Sequence, residues 1–161
     1  MPAPITAPRA QGGIQSQGLG RSRGGFSTKI HLRTNGAGLP IAAEITGGEV
    51  SDYLGYATQM TSGGPPARVL LADRGHDSDA IRQDMEDRGG MAVIPARRSR
   101  KVRESVDRHI YALRNRIERC FNRLKNARRV ATRYDKTAAG FLGFFQIPSI
   151  RLWIRHFVNM A

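Results

Sequence analysis

The sequence is short of acids, almost free of cysteine and without a long unbroken apolar run. Thirteen Asp and Glu stand against 26 Lys and Arg, leaving +13 over 161 residues. Such a surplus points to a polyanionic partner, of which nucleic acid is the commonest. An anionic membrane surface is the weaker alternative, because the basic residues do not form an amphipathic anchor. Cys120 is the only cysteine, which excludes an internal disulfide and a multi-cysteine zinc site. One thiol also suits a reducing, cytoplasmic setting. The longest apolar stretch, 141–158, is broken by Gln146, Pro148, Ser149, Arg151, Arg155 and His156, so it reads as a core helix and not a membrane span. No basic-then-apolar leader opens the chain. No Asp occurs before Asp52, and Glu44 and Glu49 are the only earlier acids.

What is present suffices for one domain with a modest core. Residues 1–25 are punctuated by Pro2, Pro4, Pro8, Gly12, Gly13, Gly18, Gly20, Gly24 and Gly25 and show no apolar period, so a flexible arm is expected there. The domain is then 26–161. Phe26, Thr28, Ile30 and Leu32 alternate with Lys29, His31 and Arg33, a half-buried strand. Asn35-Gly36 predicts a hairpin turn, and Leu39 to Ile45 the returning strand. Ser51-Asp52 could cap a helix running to about Met60.

After a Gly-Pro linker at 62–66, Arg68 to Ala72 is a short apolar run of the kind covered on both faces. It ends in Asp73-Arg74-Gly75. Ser78 to Arg88 predicts a helix closed by Gly89-Gly90, Met91 to Ile94 a strand stopped by Pro95, and Val106 to about Asn126 one long helix. The last helical segment, 137–158, should kink or break at Pro148. Strands alternating with helices give an α/β domain.

Fourteen of the basic residues lie in 97–133 against three acids, Glu104, Asp107 and Glu118, so this segment carries +11. A solvated helix face is the ordinary explanation. The density favours phosphate contacts, which release counterions and carry no sequence information. At about 100° per residue, Tyr111, Arg114, Glu118 and Lys125 share one arc of the helix. Leu113, Ile117, Phe121 and Leu124 lie beside it, and Arg116, Arg119 and Arg123 on the far, basic side. Glu118 could face a cleft, or simply pair with Arg114 at i, i+4; spacing alone does not choose. Asp73, at a strand end before a glycine, occupies a common place for a functional carboxylate. Its bland alternative is a helix cap or turn, although Asp77 and Asp79 are nearer the following helix. His76 reads as a loop residue.

Three segments together resemble the DDE-class insertion-sequence transposases. They are Gly20-Arg21-Ser22-Arg23-Gly24-Gly25-Phe26 with the strand that follows, Leu71-Ala72-Asp73-Arg74-Gly75-His76-Asp77-Ser78, and the array Tyr111, Arg114, Glu118, Lys125. The array keeps every interval of that family, and the similarity runs from about residue 18 to the end. It implies a ribonuclease-H-like mixed sheet with flanking helices, and two Mg²⁺ or Mn²⁺ ions held by three carboxylates. Asp73 and Glu118 would be the second and third acids, both catalytic and metal-binding. Tyr111, Arg114 and Lys125 would hold the element-end strand, with Arg116 and Arg119 adding phosphate contacts. His76 stands where the family usually has Tyr, and Pro148 interrupts what should be a continuous helix.

The family's first aspartate precedes the Arg-Ser-Arg-Gly-Gly segment, on a central strand. Here it is absent and not relocated nearby, so two strand edges should be left unpaired. The expectation is the downstream product of a split, frameshifted or mis-started gene, inactive alone. Implied partners are double-stranded DNA (element ends and target), an upstream-encoded half, and a second copy of the chain. The other class of function that fits is a non-catalytic DNA-binding regulator or a relic.

Overall fold

Residues 14–22, 25–61, 63–103 and 105–160 are described by a computed structural model. After a one-turn 3-10 helix at Ile14–Gln17, a short strand β1 (Gly20–Ser22) pairs antiparallel with the first residues of β2 (Gly25–Thr34). Part of the segment read as an arm is therefore ordered structure, while the call for residues 1–13 lies outside the described residues. Strand β2 then pairs antiparallel with β3 (Pro40–Gly47), from Thr28↔Gly47 to Thr34↔Pro40, with a bulge at Arg33/Thr34. The connection is longer than a two-residue Asn-Gly turn. The Asn35 carboxamide accepts from the Ala37 and Leu39 N–H groups, and the left-handed residue is Gly38, at φ 76. A side chain at Gly38 would also crowd Arg116, so glycine is required there on two grounds.

Helix α1 (Leu54–Thr61) begins after Asp52 and lies over β2 and β3. Strand β4 (Val69–Leu71) pairs parallel with β5 (Met91–Val93), joined through α2 (Asp79–Asp87). A parallel pair needs such a crossover. The helix expected over 106–126 is two helices, α3 (Arg108–Ala112) and α4 (Asn115–Lys125). Neither Gly nor Pro marks the break. Leu113 and Arg114 close i→i−3 bonds, and the tightened turn is held by Arg114 and Arg116, whose side chains bond Glu118 and the Gly36 carbonyl.

Helix α5 (Arg128–Ala131) leads to α6 (Ala138–Val158), which runs unbroken through Pro148. The break expected there does not occur. Proline removes a single helical N–H, and at the next residue the Ser149 hydroxyl donates to the Phe145 carbonyl at 2.9 Å. Among the described residues no helix is long and apolar enough to cross a membrane.

The fold is α/β, but its strands form two sheets, β1-β2-β3 and β4-β5, where one mixed sheet was expected. Each sheet has its own apolar cluster. Leu32 packs with Cys120, Leu124, Val130 and Phe145; Ala72 packs with Tyr56, Ile81, Met85 and Ile94. Between the sheets lies a cavity of about 410 Å³, walled by residues 30–36 of β2 and its turn and by 69–73 of β4.

Candidate active site

The cavity collects charged side chains from three places besides Arg33 of β2. Asp52 comes from the turn before α1, Asp73 and His76 from the end of β4, and Arg114, Arg116 and Glu118 from the start of α4. Three carboxylates thus face one space, and each has a nitrogen partner within the chain. Asp52 Oδ1 lies 3.0 Å from Lys29 Nζ, Asp73 Oδ1 3.0 Å from His76 Nδ1, and Glu118 Oε1 2.9 Å from Arg114 Nη1. All three acids keep much of their side chain exposed, from 40% for Asp52 to 53% for Glu118.

Asp73 is positioned by its own turn. Its backbone is extended, its Oδ1 accepts the Gly75 N–H at 2.9 Å, and it caps the one-turn 3-10 helix Arg74–His76. The cap alternative is thus realised at Asp73 itself, while the helix α2 cap is Ser78. Burial pushes the Asp73 carboxyl up, but the His76 hydrogen bond and charge, the Gly75 N–H and Arg114 outweigh it and hold its pKa below the ordinary value. Arg97 clamps the turn from outside, donating to the Arg74 and Gly75 carbonyls at 3.0 and 2.7 Å.

Behind the turn, Asp77 does a different task. Its side chain is 1% exposed, and it accepts from Arg82, from Arg100 and from the Arg97 N–H. The cap expected from Asp77 is instead a buried tie between α2, the loop after β5 and the Asp73 turn.

On α4, Arg114 stands 5.7 Å over the Tyr111 ring. Tyr111, Lys125 and Arg119 do not line the cavity; Lys125 lies 6.0 Å from the Phe121 ring, and Arg119 is exposed. Arg116 reaches the Gly36 carbonyl on the cavity wall, although a continuous helix would have put it on the far face.

Sequence reasoning passed over Asp52, Lys29 and Gln59. Gln59 is 8% exposed, donates to the His31 carbonyl at 2.8 Å, and leaves its Oε1 without a partner. The same reasoning missed that Cys120 is core; burial raises its thiol pKa to about 11, so it is inert. An Asp beside a helix start looks like a cap in sequence, so Asp52 carried no separate signal.

The donor set suits a hard divalent ion, since carboxylate oxygens from Asp52, Asp73 and Glu118 share one roomy space. Among the described residues, though, no three His, Cys, Asp or Glu side chains are gathered closely enough to hold a metal.

The family model for the transposase DDE domain matches residues 4–146. The chain belongs to that family. A Brucella ovis protein named as a transposase for insertion sequence element IS6501 is 31% identical, over 81% of this chain and 100% of that protein. A Burkholderia cepacia protein named as a transposase for element IS402 is 34% identical, over 57% of this chain and 54% of that protein. No solved structure matches. The DDE domain match takes in β4, α4 and every residue of the cavity wall named above.

Proposed function

We propose that this chain is the catalytic part of an insertion-sequence transposase, which cuts and rejoins DNA at the ends of its element with Mg²⁺ or Mn²⁺. One observation carries the reading: Asp73, at the end of β4, and Glu118, on α4, face one cavity beside a segment of +11. Asp73 and Glu118 would hold the ions, which when bound activate water or a 3′-hydroxyl and stabilise the departing oxygen. Arg114 fixes Glu118, and its positive charge helps to hold the Asp73 pKa down. Tyr111, Arg114 and Lys125 would grip the element-end strand, and exposed Arg119 with Arg116 would meet phosphates. The partners are double-stranded DNA at the element ends and the target.

The fold we propose is ribonuclease-H-like with its central strand absent. Support comes from the cavity walled by β2 and β4, two strands with no hydrogen bonds between them. A strand bearing the first Asp, supplied by an upstream-encoded half, would fill that space. A second copy of the chain would pack on the exposed row Ile147, Ile150, Ile154 and Phe157 of α6, which falls on one helical face.

A DNA-binding regulator without catalysis is the other reading. It is favoured by the partner each acid already has, Lys29, His76 or Arg114. An assay on labelled element-end duplex with Mg²⁺ separates the two. Protein extended upstream by a strand bearing Asp should cut; the present chain and an extended Asp73→Asn variant should not. Cutting by the present chain, abolished by Asp73→Asn, would show that no upstream strand is needed. An extended protein that binds the duplex and never cuts would favour the regulator.

A further inference from the structure

The loop between α5 and α6, residues 132–137, sends alternate side chains to opposite tasks. Arg133 and Asp135 fasten it. The Arg133 guanidinium donates to the Gln17 and Gly18 carbonyls at 2.8 and 3.2 Å and to Thr28 Oγ1 at 2.7 Å. It also donates to the Asp135 carbonyl at 2.9 Å and lies 5.3 Å from the Phe141 ring. Asp135 Oδ1 accepts from Arg129 at 3.3 Å, and its side chain is 14% exposed. Past the loop, Gln17 Oε1 accepts the Ala138 N–H at 2.9 Å, and Thr137 caps α6 through the Gly140 N–H. The loop is thereby tied to β2, whose later residues wall the cavity.

Thr132, Tyr134 and Lys136 are left outside. Tyr134 is 60% exposed, and no ring or hydrogen-bond partner engages its side chain among the described residues. Phe157, exposed to a similar degree, is by contrast stacked on Trp153. One exposed aromatic needs no explanation by itself; its company supplies one here. Arg128, Arg129 and Lys136 stand exposed on either side of it in the sequence, while the acid of the loop, Asp135, is turned in. Cations that follow a phosphate backbone, beside a ring face that takes a base, are the two halves of a single-strand site. In a duplex the base faces are covered by their neighbours, so such a ring finds its partner in an unpaired base.

We infer that Tyr134 is a stacking platform for an unpaired base of DNA, with Arg128, Arg129 and Lys136 meeting the adjoining phosphates. The inference rests on the transposase reading for its polymer, DNA, and adds the state of the strand that this surface meets. The test is a fluorescence titration of the full chain with a short thymidine oligonucleotide carrying one 2-aminopurine, whose emission falls when it stacks. Binding should quench the emission. Tyr134→Ala should abolish the quenching and weaken binding by about tenfold, the effect of one stacked base. Tyr134→Phe and Tyr134→Trp should keep both, since each retains a ring face. Tyr134→Ala removes no charge and should leave the salt slope alone, whereas Lys136→Ala should reduce it by about 0.7. On blunt duplex Tyr134→Ala should bind like wild type, and the melting curves should coincide, because the side chain is exposed. Full quenching by Tyr134→Ala, or an equal loss of affinity on blunt duplex, would overturn the inference. Tighter binding of the matching uridine oligonucleotide would overturn it too, by making RNA the partner. Failure of the transposase reading looks different: an upstream-extended protein would stack the base through Tyr134 and still never cut the element end.

Discussion

Asp73 and Asp77 stand four residues apart and live under opposite conditions. Asp77 is buried, and both of its oxygens are taken up by Arg82, Arg100 and the Arg97 N–H. Asp73 is 49% exposed, and the bonds it makes fall on one oxygen, leaving Oδ2 open among the described residues. Asp52 is arranged like Asp73, with Oδ1 held and Oδ2 open. Where the fold needs a fastening, the carboxylate is saturated and shut away. At Asp73 and Asp52 one oxygen is fixed by the protein and the other is open among the described residues. The saturated acid sits directly behind the open one, and through Arg97 it anchors the turn that presents Asp73.

The comparison is broken most directly by removing each acid in turn. Asp77→Ala removes a buried acceptor shared by Arg82, Arg100 and the Arg97 N–H, and should cost about 3 kcal/mol. For a chain of this size that lowers the melting temperature by roughly 10 °C. Asp73→Asn should move it by no more than about 0.5 kcal/mol, a shift calorimetry would barely resolve. Equal losses would mean that both acids are fastenings.

Acid should act on the same contrast. The pKa of Asp77 is lowered: burial pushes it up, but the Arg97 N–H, Arg82 and Arg100 prevail. Asp84 is lowered as well, by Arg88 first and then Tyr56. A depressed folded pKa contributes stability that is present above the unfolded carboxylate value and lost as pH falls through the folded one. Stability should therefore drop on acidification below about pH 4. Asp77→Asn should flatten that limb of the curve, while an unchanged slope in a urea series across pH would argue against Asp77 as its source.

Much of this contrast was hidden in the sequence, for identifiable reasons. The strands β2 and β3 were legible because alternation is a local signal, and Asp73 because it closes an apolar run. The bonds of Asp77 were not legible, since its partners Arg97 and Arg100 lie across a strand and a loop. The division at Leu113–Arg114 is set by contacts from Arg116 to the β2–β3 turn, which no helical wheel contains. Asp52 was missed because the residue that brings it to Asp73 is Gly75, and it does so by having no side chain.

Two arginines of α4 that looked equivalent in the sequence have different surroundings. Arg119 is exposed and has no partner among the described residues, whereas Arg116 is bonded to the Gly36 carbonyl. DNA affinity should fall steeply with salt, and Arg119→Ala should reduce the log–log slope by about one unit. Arg116→Ala should change it less. A flat salt plot for the unmodified chain would remove the electrostatic reading of the basic segment.

The central claim is that Glu118 faces a metal and not merely Arg114, and cleavage by Glu118→Gln tests it most directly. The measurement uses protein extended upstream by the strand bearing Asp, on element-end duplex with Mg²⁺, beside a melting curve. The amide keeps the shape of Glu118 and removes the charge that would balance a divalent ion. The account predicts that cleavage collapses while stability changes by no more than a few tenths of a kcal/mol, the worth of an exposed i, i+4 pair. Glu118→Asp should fail as well, because the shorter side chain withdraws the oxygen. A Glu118→Gln protein that cuts at the unmodified rate would contradict the account and leave Glu118 as the partner of Arg114 alone.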